Sequence, residues 1–276
     1  MIPQANIQEW RSKAPWKTAN QVEQDLVISR ALVELFSQPA VAENLAFRGG
    51  TALHKLHLAP AMRYSEDIDL VQVGDGQLDA ILDAIRQALV FLGKPLPEWR
   101  GGVVDAARRA ANLLGRGVRT LSWQFQSETP PSAVLRLKVE VNGRERFSVL
   151  GFTKSRFAVD SGWFRGQCDL TTYQLDELLG TKMRAQYQRA KGRDLFDLWY
   201  GLTAGKADPA RMVVVFRRYL AAENKLVSRQ EFRDNLAVKV KDPDFLADTV
   251  DLLRPSLDYS HQAAHRFVDE HLVSLL

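Results

Sequence analysis

Period-two alternation of polar and apolar residues is confined to the middle of this sequence, which limits what the chain can fold into. Asp67-Ile68-Asp69-Leu70-Val71 alternates, and so does Thr120 to Gln126. The clearest run is Ala133 to Val141, where Val134, Leu135, Leu137, Val139 and Val141 surround Arg136, Lys138 and Glu140. Successive side chains of a strand point to opposite faces, so these segments predict strands with one buried face. Pro130-Pro131 marks the turn between the last two.

Elsewhere the helical period dominates. Val22, Leu26, Leu32, Val33 and Phe36 fall close to one face of a section running from Ile7 to about Glu43, interrupted at Gln38-Pro39-Ala40. Gln77 to Leu92 places Leu78, Ile81, Leu82, Ile85 and Leu89 along one side. The stretch from Asn142-Gly143 to about Asp169 is mixed. From Gln174 the pattern is helical almost to the end, broken near Gly192, at Gly205 to Pro209, at Asp242-Pro243 and near Pro255. The expected class is α+β: a small mixed β-sheet core flanked by helices over residues 1–170, followed by a helical C-terminal domain over residues 171–276.

Composition removes several alternatives. The chain has 276 residues, with 46% hydrophobic and 25% charged, ordinary values for a globular protein. Cys168 is the single cysteine, so no intramolecular disulfide and no cysteine-based zinc cluster can form. The first twenty residues carry Glu9, Arg11, Lys13 and Lys17 without an apolar core, and no segment approaches the roughly 18 apolar residues of a membrane span. A cytoplasmic protein with no membrane association is expected. The pairs His54/His57 and His261/His265 have helical metal-binding spacing, but solvated helix faces account for them. Net charge is only +4, although 25 of the 37 cations are arginine. That value alone names no partner.

The chemistry concentrates in Arg63-Tyr64-Ser65-Glu66-Asp67-Ile68-Asp69-Leu70. On a strand, Asp67 and Asp69 share a face, and neighbouring carboxylates repel unless a cation lies between them. Magnesium takes one or two carboxylates together with phosphate oxygens. An isolated Asp-x-Asp is usually solvated charge. Glu140, on a second strand, adds a third carboxylate of the kind a two-metal phosphoryl-transfer site uses, unless it merely pairs with a basic neighbour across strands. Gly49-Gly50-Thr51 precedes the pair and opens a helical pattern. Glycines allow close backbone approach to a phosphate, and a helix start offers free N–H groups.

Phe47-Arg48-Gly49-Gly50-Thr51-Ala52-Leu53 followed by Arg63 to Leu70 resembles the signature of the AbiEii/MenT toxin family, within the polymerase-β-like nucleotidyltransferase superfamily. A second block is also similar: Thr181-Lys182-Met183-Arg184-Ala185-Gln186, Arg189, and Gly192-Arg193-Asp194-Leu195-Phe196-Asp197-Leu198. The likeness spans roughly residues 45–202. Thr51 departs from the serine preferred in the wider superfamily. The resemblance implies catalytic roles for Asp67, Asp69, Lys182 and Asp194. It also implies a nucleotide site drawn from Gly49, Gly50, Thr51, Arg63, Ser65, Lys182 and Arg193.

Between Glu177 and Asp194 there is no acid, but Lys182, Arg184, Arg189, Lys191 and Arg193 are present. One reading sets Lys182 on a triphosphate; the other is a solvated basic helix. Gly192 is expected to end that helix, with Asp194 starting the next and Asp197 pairing with Arg193. Basic blocks at Arg100 to Arg119 and Arg136 to Arg156, near Trp99, Trp123, Phe147 and Phe152, could track an RNA backbone, although core packing explains the aromatics equally.

The expected activity is metal-dependent nucleotidyl transfer. Asp67, Asp69 and Glu140 would hold two Mg²⁺ ions, with Mn²⁺ as a substitute, and an NTP would be the donor. The resemblance implies that the acceptor is RNA, specifically the 3′ end of tRNA, and that a cognate antitoxin silences the toxin. The alternatives are transfer to a small molecule or protein, and an inactive module that binds RNA or a partner.

Overall fold

The computed structural model describes residues 2–96 and 117–276. Trp99, Arg100, Arg108, Arg109 and Arg116 of the first basic block lie outside them. The chain divides into two compact units. One comprises residues 1–52, 64–147 and 152–172; the other comprises residues 53–63, 148–151 and 173–276. The division expected at residue 170 therefore falls at 172/173, and the helical unit also takes in two earlier segments.

The first unit opens with α1 (Gln4–Trp10), α2 (Ala19–Phe36) and α3 (Pro39–Ala42). A reciprocal cap starts α2: Thr18 accepts from the Gln21 backbone, and the Gln21 side chain accepts from the Thr18 N–H. Pro39 begins α3 at a helix start, where its missing N–H loses nothing, so it interrupts the helical section without ending it. Strand β1 (Leu45–Arg48) leads into α4 (Gly49–Ala52), and β2 (Asp67–Gln72) is followed by α5 (Leu78–Ala88). Then come β3 (Val118–Gln126), β4 (Val134–Asn142), β5 (Phe152–Asp160) and β6 (Arg165–Tyr173). They form one six-stranded mixed sheet in the order β3-β4-β2-β1-β6-β5.

The register explains the buried layer. Strands β2 and β4 run parallel, pairing Ile68 with Val139 and Leu70 with Val141, while antiparallel β3 sets Leu121 and Trp123 opposite Val139 and Leu137. All of these side chains are buried. Helix α2 packs against β4, β5 and α5, and contributes Val22, Leu26, Ile28 and Leu32 to the same core. The opposite face of β2 and β4 carries the polar residues of the alternation.

Strands β5 and β6 occupy the stretch that reads as mixed in sequence. Strand β5 ends the sheet and buries only Val159, so polar residues stand on both of its faces and the alternation disappears.

In the second unit, a π-helical turn (Leu53–His57) continues from α4. Helices α6 (Leu175–Gln188), α7 (Gly192–Thr203), α8 (Pro209–Ala221), α9 (Arg229–Lys239), α10 (Pro243–Ala247) and α11 (His261–His271) make up the rest. Asp208, Ser228, Asp242 and Ser260 cap the last four; the breaks at Asp208 and Asp242 fall where the sequence expects them, whereas the one between Ala221 and Arg229 does not appear in the sequence pattern. One boundary differs: α6 stops at Gln188, and Gly192 begins α7 instead of ending α6. Helix α6 packs on α7 and α8 through Leu178, Leu179, Met183, Val215 and Phe216.

Candidate active site

The acidic residues of the first unit gather as the strand period predicts. Parallel pairing puts Asp67 beside Lys138 and Asp69 beside Glu140, all on the polar face of the sheet. Their hydrophobic neighbours Ile68, Leu70, Val139 and Val141 point the other way into the core. Lys138 Nζ lies 3.0 Å from Asp67 Oδ2 and 3.4 Å from Glu140 Oε1. Partial burial draws the Lys138 pKa down. The hydrogen bond and charge of Asp67, with the charges of Glu140 and Asp69, outweigh that and hold it above the ordinary lysine value.

Asp69 sits against the glycine turn. Gly49 has φ +79°, and a Cβ placed there would come 2.0 Å from Asp69 Oδ2. Both facts demand glycine at this position. Gly49→Ala is therefore expected to push Asp69 aside and reduce nucleotidyl transfer by about a hundredfold, with secondary structure retained. Transfer assays beside circular dichroism check this; unchanged turnover would show that Asp69 tolerates the shift.

Thr51 is buried, as is Gly50. Thr51 Oγ1 lies 2.5 Å from the Asp67 carbonyl oxygen and 2.9 Å from Ser65 Oγ. Its single proton donates to the carbonyl, leaving the oxygen to accept from Ser65. These bonds fasten the start of β2 to the glycine turn.

The basic residues of the second block meet in the helical unit. Lys182 Nζ is 3.0 Å from Asp194 Oδ1 and 3.0 Å from Asp197 Oδ2. Arg189 forks onto Asp194 at 2.7 and 2.8 Å. Asp197 does not pair with Arg193 as the helical spacing suggests. It receives Arg63 through two bonds of 2.8 and 2.9 Å and His54 Nε2 at 2.8 Å. Arg193 instead forks onto Asp248 at 3.0 and 2.8 Å. The guanidinium groups of Arg63 and Arg193 are thus directed at internal carboxylates.

Burial alone would raise both aspartates. Lys182 and Arg189 bring Asp194 below the usual carboxylate range, and Arg63, Lys182 and His54 bring Asp197 well below it. His54 is drawn down to about 4, first by burial and then by the charge of Arg63, against the opposing pull of Asp197. It is neutral, donating from Nε2 while Nδ1 is buried without a hydrogen-bond partner. Because the folded pKa lies below the unfolded 6.5, the stability from this arrangement is complete above about pH 6.5 and declines as pH falls through about 4. The expected loss is roughly 3 kcal/mol. Urea unfolding at pH 7 and pH 4.5 measures it, and His54→Gln should flatten the dependence; an equal slope in the variant would assign the loss to other groups.

Lys138, His54 and the Arg63–Asp197 pairing are contributors that the sequence reading did not assign. Lys138 had a visible signal, since it shares a strand face with Glu140; the other two had none. Among the described residues, no group of three or more His, Cys, Asp or Glu side chains is arranged to hold a metal ion. Asp67, Asp69 and Glu140 share the polar face of β2 and β4, with the Lys138 ammonium lying between Asp67 and Glu140. Asp67 and Asp69 alone supply all-oxygen donors on one face, which suits Mg²⁺ with phosphate oxygens completing its shell. No described helix is long and apolar enough to cross a membrane.

A mixed sheet carries an Asp-x-Asp strand behind a glycine turn, the arrangement that the sequence resemblance implies for a nucleotidyltransferase. The sequence model of the nucleotidyl transferase AbiEii toxin family, of type IV toxin–antitoxin systems, matches residues 30–267. The chain belongs to that family of nucleotidyltransferase toxins, which work with a nucleotide and a cognate antitoxin. Its fold is shared with MenT4, a nucleotidyltransferase toxin from Mycobacterium tuberculosis H37Rv, at TM-score 0.65 and 18% identity over 100% of this chain and 91% of that one. A candidate nucleotidyltransferase from H. pylori aligns at TM-score 0.47 and 16% identity, over 94% of this chain and 99% of that one, too loosely to support an argument. No curated protein matches the sequence.

Proposed function

We propose that the protein transfers a nucleoside monophosphate from an NTP to an RNA acceptor, the 3′ end of tRNA, in the cytoplasm, and that a cognate antitoxin restrains it. The observation that carries this reading is the placement of Asp67 and Asp69 on one face of β2, with Gly49 allowing the backbone to lie directly against Asp69. A hydroxyl oxygen of the acceptor forms a bond to the α-phosphorus as the bond to pyrophosphate breaks. Asp67 and Asp69 would hold the metal, Mg²⁺ as two ions or Mn²⁺ in its place. Bound there, it supplies charge neutralisation for the phosphates and lowers the pKa of the acceptor hydroxyl.

Glu140 adds negative charge on the adjacent strand and keeps Lys138 within reach. Gly49 and Gly50 form the turn whose backbone would face the phosphates, Gly49 packing against Asp69, while Thr51 and Ser65 fix the turn against β2. Lys182 and Asp194 enter the proposal through the family motif. Arg63 and Arg193 are assigned positioning roles, because their guanidinium groups serve Asp197 and Asp248.

The test is incubation with each α-labelled NTP, Mg²⁺ and total tRNA. Label in tRNA and growth arrest on expression are expected. Label confined to a small molecule or protein would replace the RNA acceptor, and RNA binding without any transfer would replace catalysis.

A further inference from the structure

Three carboxylates on one sheet face repel one another, and this chain has its own cation among them. Lys138 stands two residues before Glu140 on β4 and is the register partner of Asp67 on β2. Its ammonium is within 3.0 Å of Asp67 and 3.4 Å of Glu140, so it lies where a positive charge relieves both. Asp67, which faces Lys138, is also one of the two proposed metal ligands. Side-chain exposures of 33% for Lys138, 37% for Asp67 and 35% for Glu140 leave the ammonium a solvent route on its flexible four-carbon stem.

We propose that Lys138 is a resident counter-cation that competes with the divalent metal for Asp67, and so sets how weakly the protein loads metal before nucleotide arrives. The inference rests on the assignment of Asp67 and Asp69 as metal ligands made above. Two cations cannot share one carboxylate oxygen at contact distance without strong repulsion. Metal entry therefore requires Lys138 to leave. A triphosphate arriving with the metal adds oxygen ligands and negative charge that reverse the balance.

The experiment is a Mn²⁺ titration of the 276-residue protein at low salt without nucleotide, read by loss of the free-ion EPR signal. Wild type, Lys138→Met and Lys138→Arg are compared. Lys138→Met keeps an unbranched flexible stem, one heavy atom shorter, and removes its charge, and is expected to bind Mn²⁺ about tenfold more tightly. The gap should narrow as salt is added. Lys138→Arg is expected to stay within about twofold of wild type, since it keeps the charge. Thermal unfolding gives a second readout: Mn²⁺ should raise the midpoint of Lys138→Met more than that of wild type. If the methionine variant folds poorly, Lys138→Gln provides the same comparison.

Equal or weaker Mn²⁺ binding without the lysine charge would overturn the competition while leaving the ligand assignment standing. Absence of Mn²⁺ binding from every variant, with and without a non-hydrolysable NTP analogue, would overturn the ligand assignment and this inference with it.

Discussion

Asparagine in place of Asp69 is expected to lower nucleotidyl transfer on the order of a thousandfold while the sheet stays folded. The substitution preserves shape and removes one negative charge at the point where β2 meets the glycine turn. Ile68 and Leu70 on either side carry the packing of this strand. Loss of activity with an unchanged unfolding midpoint therefore separates a chemical role from a structural one. Asp79→Asn, at an exposed position on α5, is the matched control and should behave as wild type. Retention of more than about a tenth of the activity by Asp69→Asn would remove Asp69 from the proposed machinery.

The second large effect belongs to Asp197. It is fully buried and receives Arg63, His54 and Lys182 together. Asp197→Ala leaves two buried cations facing each other without their shared carboxylate, and should destabilise the helical unit by about 3–5 kcal/mol. Native-state hydrogen exchange of α6 and α7 reads that unit directly, where a whole-chain melting curve would blend both units. Replacing Arg63 with methionine in the same protein should recover part of the loss, since one stranded charge disappears with its partner. A change below about 1 kcal/mol in the single variant would mean that solvent reaches the cluster freely.

These two aspartates also mark the limit of what the sequence discloses. Asp69 is legible because the strand period is a local rule: two residues fix a face, and Ile68 and Leu70 identify which face is wet. The partners of Asp197 lie 134 and 143 residues earlier in the chain, at Arg63 and His54, and no local period connects them. The i,i+4 spacing of Arg193 and Asp197 points to a pairing that tertiary structure overrides, because Asp248 takes the arginine. The same logic separates the strands. Strands β2, β3 and β4 alternate because one face is buried, whereas β5 at the sheet edge buries a single residue and leaves no pattern. Lys138 is intermediate: its face was visible, but the direction of its ammonium was not.

Glu177 holds the short segment 148–151 in the helical unit. Its carboxylate accepts from the Ser148 hydroxyl, the Val149 and Leu150 backbone N–H groups, and the Tyr219 hydroxyl. Residues 53–63 belong to that unit as well. Neither unit is therefore a continuous length of polypeptide, and no single cut of the chain would liberate one intact. A premature stop after residue 172 would strand the buried Leu53 and Leu58 without the helices of their unit, and the 148–151 segment without Glu177. During synthesis, the same two segments must wait for the last hundred residues before they find their native partners. Early truncations of the gene are thus expected to yield aggregation-prone fragments in place of a smaller working enzyme.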